Sequence, residues 1–268
     1  MLSFSELFGL AEDPANLAEL PTMFGRTQVY DAEDDDGTLL RVLDVDGSWQ
    51  SASYLGERWS ELAFGYHRVF NVALSMNPRA TRALVLGGGA FSYPKYLLTH
   101  QPQLHVDVVE IDPAINELAQ QWFFLDRLSP AERMRLNAIC EDAPTYLASY
   151  AERAETGDAP RYDLIVNDLF AAETPTAALM KPAGLAQAKR ALEPDGIYVA
   201  NVVSALKGKR AKPLREVVGA LMSTFSDVRV IPLSTDEPRV PDNNVVLAWS
   251  GPYAAPGSSF SPEELALA

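Results

Sequence analysis

A chain of 268 residues with 47% hydrophobic content can bury one full core and carry a smaller appendage, which excludes a disordered or purely interaction-tail class. Its 36 acids outweigh 22 bases to leave a formal charge of −14, a surface that repels phosphate backbones and favours a cationic substrate, so no nucleic-acid partner is expected. The single cysteine, Cys140, excludes an internal disulfide; lying in an apolar run, it is expected as a buried, inert thiol in a reducing compartment.

In chain order, Leu2, Phe4, Leu7 and Leu10 space a short amphipathic helix that is expected to dock on a core. The first residues lack the basic start of a secretory signal, and no apolar run nears the roughly 20 residues of a membrane helix. A cytoplasmic protein with no membrane partner is the expectation. Residues 27–30 and 39–43 flank the acidic turn Asp34-Asp35-Asp36-Gly37, a hairpin signature. Asp46-Gly47 makes a second turn into residues 49–54, and a helix is predicted over 57–75.

Asn77-Pro78 marks a boundary. Residues 1–77 are therefore read as an N-terminal helix, β element and linking helix, 78–250 as the main domain, and 251–268 as a tail. Within the main domain, strands are predicted at 83–88, 105–111, 134–141, 162–168, 196–203, 227–233 and 244–249. Segments with helical texture, such as 113–125 and 175–192, alternate with them. That order predicts an α/β fold with a mostly parallel, Rossmann-like sheet. Glu193-Pro194-Asp195-Gly196 is read as the turn into the fifth of these strands. Ser261-Pro262-Glu263-Glu264 is read as the capping-box start of a short terminal helix.

Ligands bind beyond the carboxyl ends of strands in such a sheet, so each strand tip is a candidate site. The first tip carries Gly87-Gly88-Gly89, where missing Cβ atoms let backbone N–H groups approach a ligand. The next three carry Glu110, Asp142 and Asn167-Asp168. Glu110 suits a ribose diol. Asp142 suits an adenine amine, or equally the N-cap of the helix that follows. Ser92 stands where a dinucleotide fingerprint has its third glycine, and Lys95 is the nearest base. An acidic ring of this kind fits a nucleoside sulfonium better than a pyrophosphate.

These motifs resemble the spermidine synthase family of aminopropyltransferases, which have the fold of class I S-adenosylmethionine-dependent methyltransferases. The resemblance runs from Gly25 to Ser250. It includes Leu43-Asp44-Val45-Asp46-Gly47-Ser48-Trp49-Gln50, similar to the family's Leu-Asp-Gly-x-x-Gln, and Phe64-Gly65-Tyr66-His67, similar to its Phe-x-Tyr-His. Gly87-Gly88-Gly89, Val109-Glu110-Ile111-Asp112, Glu141-Asp142-Ala143 and the segment ending Asn167-Asp168 follow in family order. The resemblance implies that Gln50, Gly87, Gly88, Gly89, Glu110 and Ile111 hold the nucleoside, with Asp142 and Ala143 on the adenine. It implies that Tyr66 and His67 line the amine channel and that Asp168 takes the proton of the attacking amine. The implied co-substrate is decarboxylated S-adenosylmethionine, or S-adenosylmethionine itself, with no metal. The implied partners are a small-molecule amine and a second copy in a homodimer.

Two departures have a direction. The family's glycine motif runs Gly-Gly-Gly-Asp-Gly-Gly, and here Ala90 and Phe91 follow the three glycines. The family's second catalytic-loop acid is replaced by Ala171. Each ammonium–carboxylate contact in a dry site is worth roughly 1.5–3 kcal/mol. The nucleoside pocket is thus expected to survive better than the polyamine pocket, so that methylthioadenosine binds while putrescine turns over slowly or not at all. Methyl transfer from the intact cofactor, or a nucleoside-binding role without catalysis, are the alternatives.

Overall fold

The computed structural model describes residues 16–34, 36–169 and 179–267. The helix expected from Leu2, Phe4, Leu7 and Leu10 lies outside them, as do Ala171 and residues 175–178 of the helix expected over 175–192, which among the described residues begins only at Pro182.

A four-stranded antiparallel sheet comes first, in the order β1-β2-β3-β4. It consists of β1 (Asn16–Thr22), β2 (Gly25–Glu33), β3 (Leu39–Val45) and β4 (Ser48–Tyr54). The hairpin and the second turn fall where the sequence places them. β1 is an addition, a half-exposed edge strand whose polar residues gave no alternation to read. In the β3–β4 pair, Leu43 faces Ser51 and Asp44 faces Trp49, so Gln50 is the extra residue of a β-bulge. A bulge re-aims a side chain out of the ladder.

The helix expected over 57–75 begins instead at Gly65: α1 covers Gly65–Met76 and is preceded by a single 3₁₀ turn, Gly56–Arg58. The reason is Leu62, which is buried and forms a β-bridge to Ser53, keeping the chain extended up to Phe64.

The main sheet has seven strands in the order β10-β11-β9-β8-β5-β6-β7. They are β5 (Arg82–Leu86), β6 (His105–Val109), β7 (Leu136–Ile139), β8 (Tyr162–Asn167), β9 (Leu192–Ser204), β10 (Asp227–Pro232) and β11 (Asp242–Trp249). β9, β8, β5, β6 and β7 run parallel, whereas β11 is antiparallel to both of its neighbours. One face buries α1, α2 (Ser92–His100) and α3 (Pro113–Trp122) around Phe70, Leu97 and Trp249. The other buries α5 (Ala143–Thr156), α6 (Pro182–Ala191) and α7 (Lys212–Met222) around Leu147, Leu185 and Leu214, the short α4 (Pro130–Arg133) lying before β7. The central strands β5, β8 and β11 are rich in Val, Ile and Leu because both faces are covered, the pattern of a buried sheet, whereas the edge strands β7 and β10 are partly exposed.

Three further expectations are corrected. β9 starts at Leu192, directly after α6, and residues 193–196 loop out of its pairing with β8 rather than preceding the strand. The 261–264 capping box forms, with Ser261 N donating to Glu264 Oε2 (2.6 Å) and Glu264 N to Ser261 Oγ (3.3 Å), but it closes a turn and not a helix. Cys140 is exposed, because β7 is the last strand of the sheet and its tip has no neighbour on the outer side.

Candidate active site

The turn after β5 is shaped by what lies beneath it. Gly87 has φ +93°, and a Cβ there would stand 2.7 Å from the carbonyl oxygen of Asp168, so only glycine lets the tips of β5 and β8 come together. Ala90 is fully buried, packed with Val29, Leu43, Ile115, Leu118 and Phe123 between the small sheet and α3. Phe91 keeps a left-handed backbone (φ +57°) at a position where the family pattern has glycine. Its ring is buried against the Gly88 side of the turn, and that burial offsets the strained conformation.

Glu110, at the tip of β6, is buried and engaged with this turn. Its Oε2 accepts from Gly88 N and Gly89 N, each at 3.1 Å, and its Oε1 accepts from Asp112 N at 3.0 Å. The amides that the sequence assigns to a ligand are therefore held by Glu110. A carboxylate has about four acceptor positions, so one on Oε1 is left for a hydroxyl. Burial raises the pKa of Glu110, and the three amide bonds oppose the rise. Asp112 is spent on structure, accepting from Met23 N (2.7 Å) and Ala114 N (2.9 Å).

Gln50 sits at its bulge beside the turn, its backbone carbonyl oxygen 3.9 Å from where a Gly89 Cβ would be. Asp142 caps α5: its Oδ2 accepts from Thr145 N (3.1 Å) and Thr145 Oγ1 (2.7 Å), which leaves Oδ1 without a partner among the described residues. Ile111 is half-buried, with its carbonyl 3.6 Å from Cys140 Sγ. The Ala143 methyl is in the core below Asp142. These groups line the carboxyl ends of β5, β6 and β7 and the facing edge of the small sheet.

Asp168, at the tip of β8, gathers a second set. Its Oδ2 accepts from His67 Nε2 (2.8 Å) and Tyr66 OH (3.4 Å), both from the first turn of α1, and its Oδ1 is 3.4 Å from Asn201 Nδ2 on β9. For His67 to donate to a carboxylate oxygen, its imidazole proton must be on Nε2. His67 Nδ1 is buried without a partner, within a shell formed by the rings of Phe64, Tyr66, Phe70 and Tyr93. Burial, with the Asp168 charge second, pushes the Tyr66 hydroxyl well above its ordinary pKa, so it stays a donor. Asn167 turns away into the core and donates to Tyr198 OH (2.8 Å).

The sequence reading missed Asn201 and the polar seam behind the glycine turn. Asn201 had a signal, an amide near the carboxyl end of the apolar run 197–203. The seam had none: Ser51 Oγ meets Ser92 Oγ at 2.8 Å, Ser92 Oγ donates to Ala52 O (2.8 Å), and Lys95 Nζ donates to Ser53 Oγ (2.7 Å) and Phe123 O (2.9 Å). Lys95 is fully buried; that burial, with Arg127 nearby, pulls its pKa down to about 7. It is no phosphate ligand.

Comparison with known proteins fits this geometry. The spermine/spermidine synthase domain model matches residues 63–211, more than half of the chain. A polyamine aminopropyltransferase of Vibrio vulnificus is 30% identical over 158 residues, 59% of this chain and 50% of that protein. The human eEF1A lysine and N-terminal methyltransferase is 31% identical over 157 residues, 54% of this chain and 22% of that protein. The chain thus spans half or less of these two relatives. A probable spermidine synthase from Corynebacterium glutamicum superposes with a TM-score of 0.72 at 20% identity, over 90% of this chain and 82% of that one, which shows the shared fold.

Proposed function

The chain belongs to the spermine/spermidine synthase domain family, and on that premise we propose that it alkylates an amine with an adenosyl sulfonium. In the leading reading the group transferred is the aminopropyl of decarboxylated S-adenosylmethionine. The nucleoside is held by Gln50, Glu110, Ile111, Asp142 and Ala143 around the Gly87–Gly89 turn. The residues fit such a group: the Gln50 backbone lies beside the turn, Glu110 keeps one acceptor position, and Asp142 Oδ1 has no partner among the described residues.

The bound sulfonium supplies an electrophilic carbon next to a thioether leaving group. The nitrogen lone pair of the acceptor attacks that carbon, the C–N bond forms as the C–S bond breaks, and the electron pair leaves with sulfur. A free amine has a pKa near 10, so its neutral form costs roughly 4 kcal/mol at pH 7. Asp168 takes the proton that nitrogen loses. Among the described residues, His67 and Tyr66 hold one oxygen of Asp168 and Asn201 alone contacts the other, at 3.4 Å, and this arrangement carries the reading.

Ala90 favours a second reading, methyl transfer from intact S-adenosylmethionine. Its apolar surroundings offer no carboxylate to an aminopropyl ammonium and none to repel the intact cofactor's carboxylate. The human relative is named for methylating lysine and N-terminal amines. Incubation with each cofactor and a panel of amines, followed by mass spectrometry, separates aminopropyl from methyl addition. Asp168→Asn is expected to lower the rate on the order of 10²–10⁴-fold while methylthioadenosine affinity is kept; an unchanged rate would contradict the role of Asp168.

A further inference from the structure

We propose that the acceptor amine is carried on an acidic polypeptide, which docks on the basic loop that follows β9, the strand next to that of Asp168. This rests on the alkyl-transfer reading above and specifies its substrate class.

This stretch, Lys207-Gly208-Lys209-Arg210-Ala211-Lys212-Pro213-Leu214-Arg215, is a loop and 3₁₀ turn running into the first turn of α7, with five bases in nine residues and no acid, in a chain of net charge −14. Lys207, Lys209, Arg210 and Lys212 are exposed. Among the described residues only Lys212 has an ion-pair partner, Glu216 at 3.5 Å, and that pair is itself exposed. Arg215 donates to Gly208 O (3.0 Å), bracing the loop from within.

Its position relative to the site is fixed by hydrogen bonds. Ser204 Oγ donates to Arg210 O (3.0 Å) and Ala205 N to the same oxygen (3.3 Å), folding the loop onto the end of β9, the strand that brings Asn201 to Asp168. Lys207 N donates to Pro238 O (2.7 Å), joining the loop to the segment after β10. Leu233 of that segment lies against Gly65, where α1 begins and presents Tyr66 and His67. The segment after β10 therefore links the start of α1 to the basic loop as a rim, and Leu233 and Val240 on it, with Val203 at the end of β9, are exposed large apolar residues.

The charge on this rim selects the partner. Counting Arg239, six bases face the four acids Glu216, Asp236, Glu237 and Asp242, a net of +2 on the rim in a chain whose total is −14. Screening over about 8 Å keeps that contrast local. A free diamine gains no attraction from such a rim and finds apolar Ala90 where an ammonium-binding acid would be needed. A lysine side chain or chain N-terminus flanked by Asp or Glu reconciles an amine at Asp168 with cations around the entrance. A nucleic acid fits less well: its charge recurs about every 1.7 Å and would run past the patch onto acidic surface. The exposed large apolar residues of the rim are aliphatic and offer no base-stacking platform.

The test is fluorescence polarisation with a labelled peptide holding one lysine among Asp and Glu residues. It compares the full chain with the combined Lys207→Glu, Lys209→Glu, Arg210→Glu variant at low and high salt. Wild type is expected to bind, the variant to bind about tenfold more weakly or worse, and added salt to weaken wild type more than variant. Methylthioadenosine affinity is expected to stay equal, showing an intact fold; if the reversal variant does not fold, the three glutamine substitutions give the same comparison. No peptide binding by wild type, equal binding by the variant, or tighter binding of a single-stranded oligonucleotide through the same bases overturns the proposal. Charge-dependent peptide binding without methylthioadenosine binding keeps this surface and overturns the adenosyl reading instead.

Discussion

Lys95 shows how one residue ties the two sheets together. Its amine is buried with no carboxylate partner among the described residues, hydrogen-bonded to β4 at Ser53 and to the chain after α3 at Phe123. Its pKa, lowered to about 7, makes folding pH-dependent. Between that value and its ordinary value of about 10.5 the unfolded chain holds a proton that the folded chain does not, so stability rises with pH across the window. Below pH 7 this residue adds no further slope. From pH 7.5 to 9 the expected gain is about 2 kcal/mol. Denaturant unfolding at both values measures it, and Lys95→Met is expected to remove most of the difference. Equal slopes in wild type and variant would mean that Lys95 is solvated or paired.

At the scale of elements, the glycine turn is built as much for its neighbours as for a ligand. Gly87→Ala places a Cβ against the Asp168 backbone at a left-handed φ. Gly47→Ala meets only the left-handed penalty, since nothing lies within 4 Å of that site. Thermal or chemical unfolding is expected to show a loss of about 1 kcal/mol for Gly47→Ala and at least twice that for Gly87→Ala. A second prediction concerns Ala90. Restoring the family's acid as Ala90→Asp puts a carboxylate among Val29, Leu43, Ile115, Leu118 and Phe123. Desolvation then costs several kcal/mol unless the acid stays protonated. The variant is expected to be less stable and to gain no putrescine turnover; a stable variant with new putrescine activity would contradict the packing described.

For the whole molecule, the sequence made the parallel sheet legible because its central strands are buried on both faces and read as apolar runs between turns. It marked the tips that carry Gly87–Gly89, Glu110, Asp142 and Asp168 for the same reason. What escaped it depends on contacts distant in sequence. Leu62 leaves a helical period to bridge Ser53, Asn201 meets Asp168 across two strands, and Cys140 is exposed because β7 is the sheet's edge. Periodicity carries no record of such pairings. The Glu110 amide bonds were hidden likewise, since nothing in the chain says whether an acid facing a glycine turn binds the turn or a ligand.

The central claim is that the turn, Glu110, Asp142 and Gln50 form one adenosyl site without phosphate recognition. Calorimetric titration of the full chain with methylthioadenosine, S-adenosylhomocysteine and NAD tests it most directly. Saturable binding of one equivalent of methylthioadenosine, weakened on the order of tenfold by Asp142→Ala, with no measurable NAD binding, is the predicted result. NAD binding tighter than either thioether nucleoside, or methylthioadenosine binding that is absent in wild type, would contradict it.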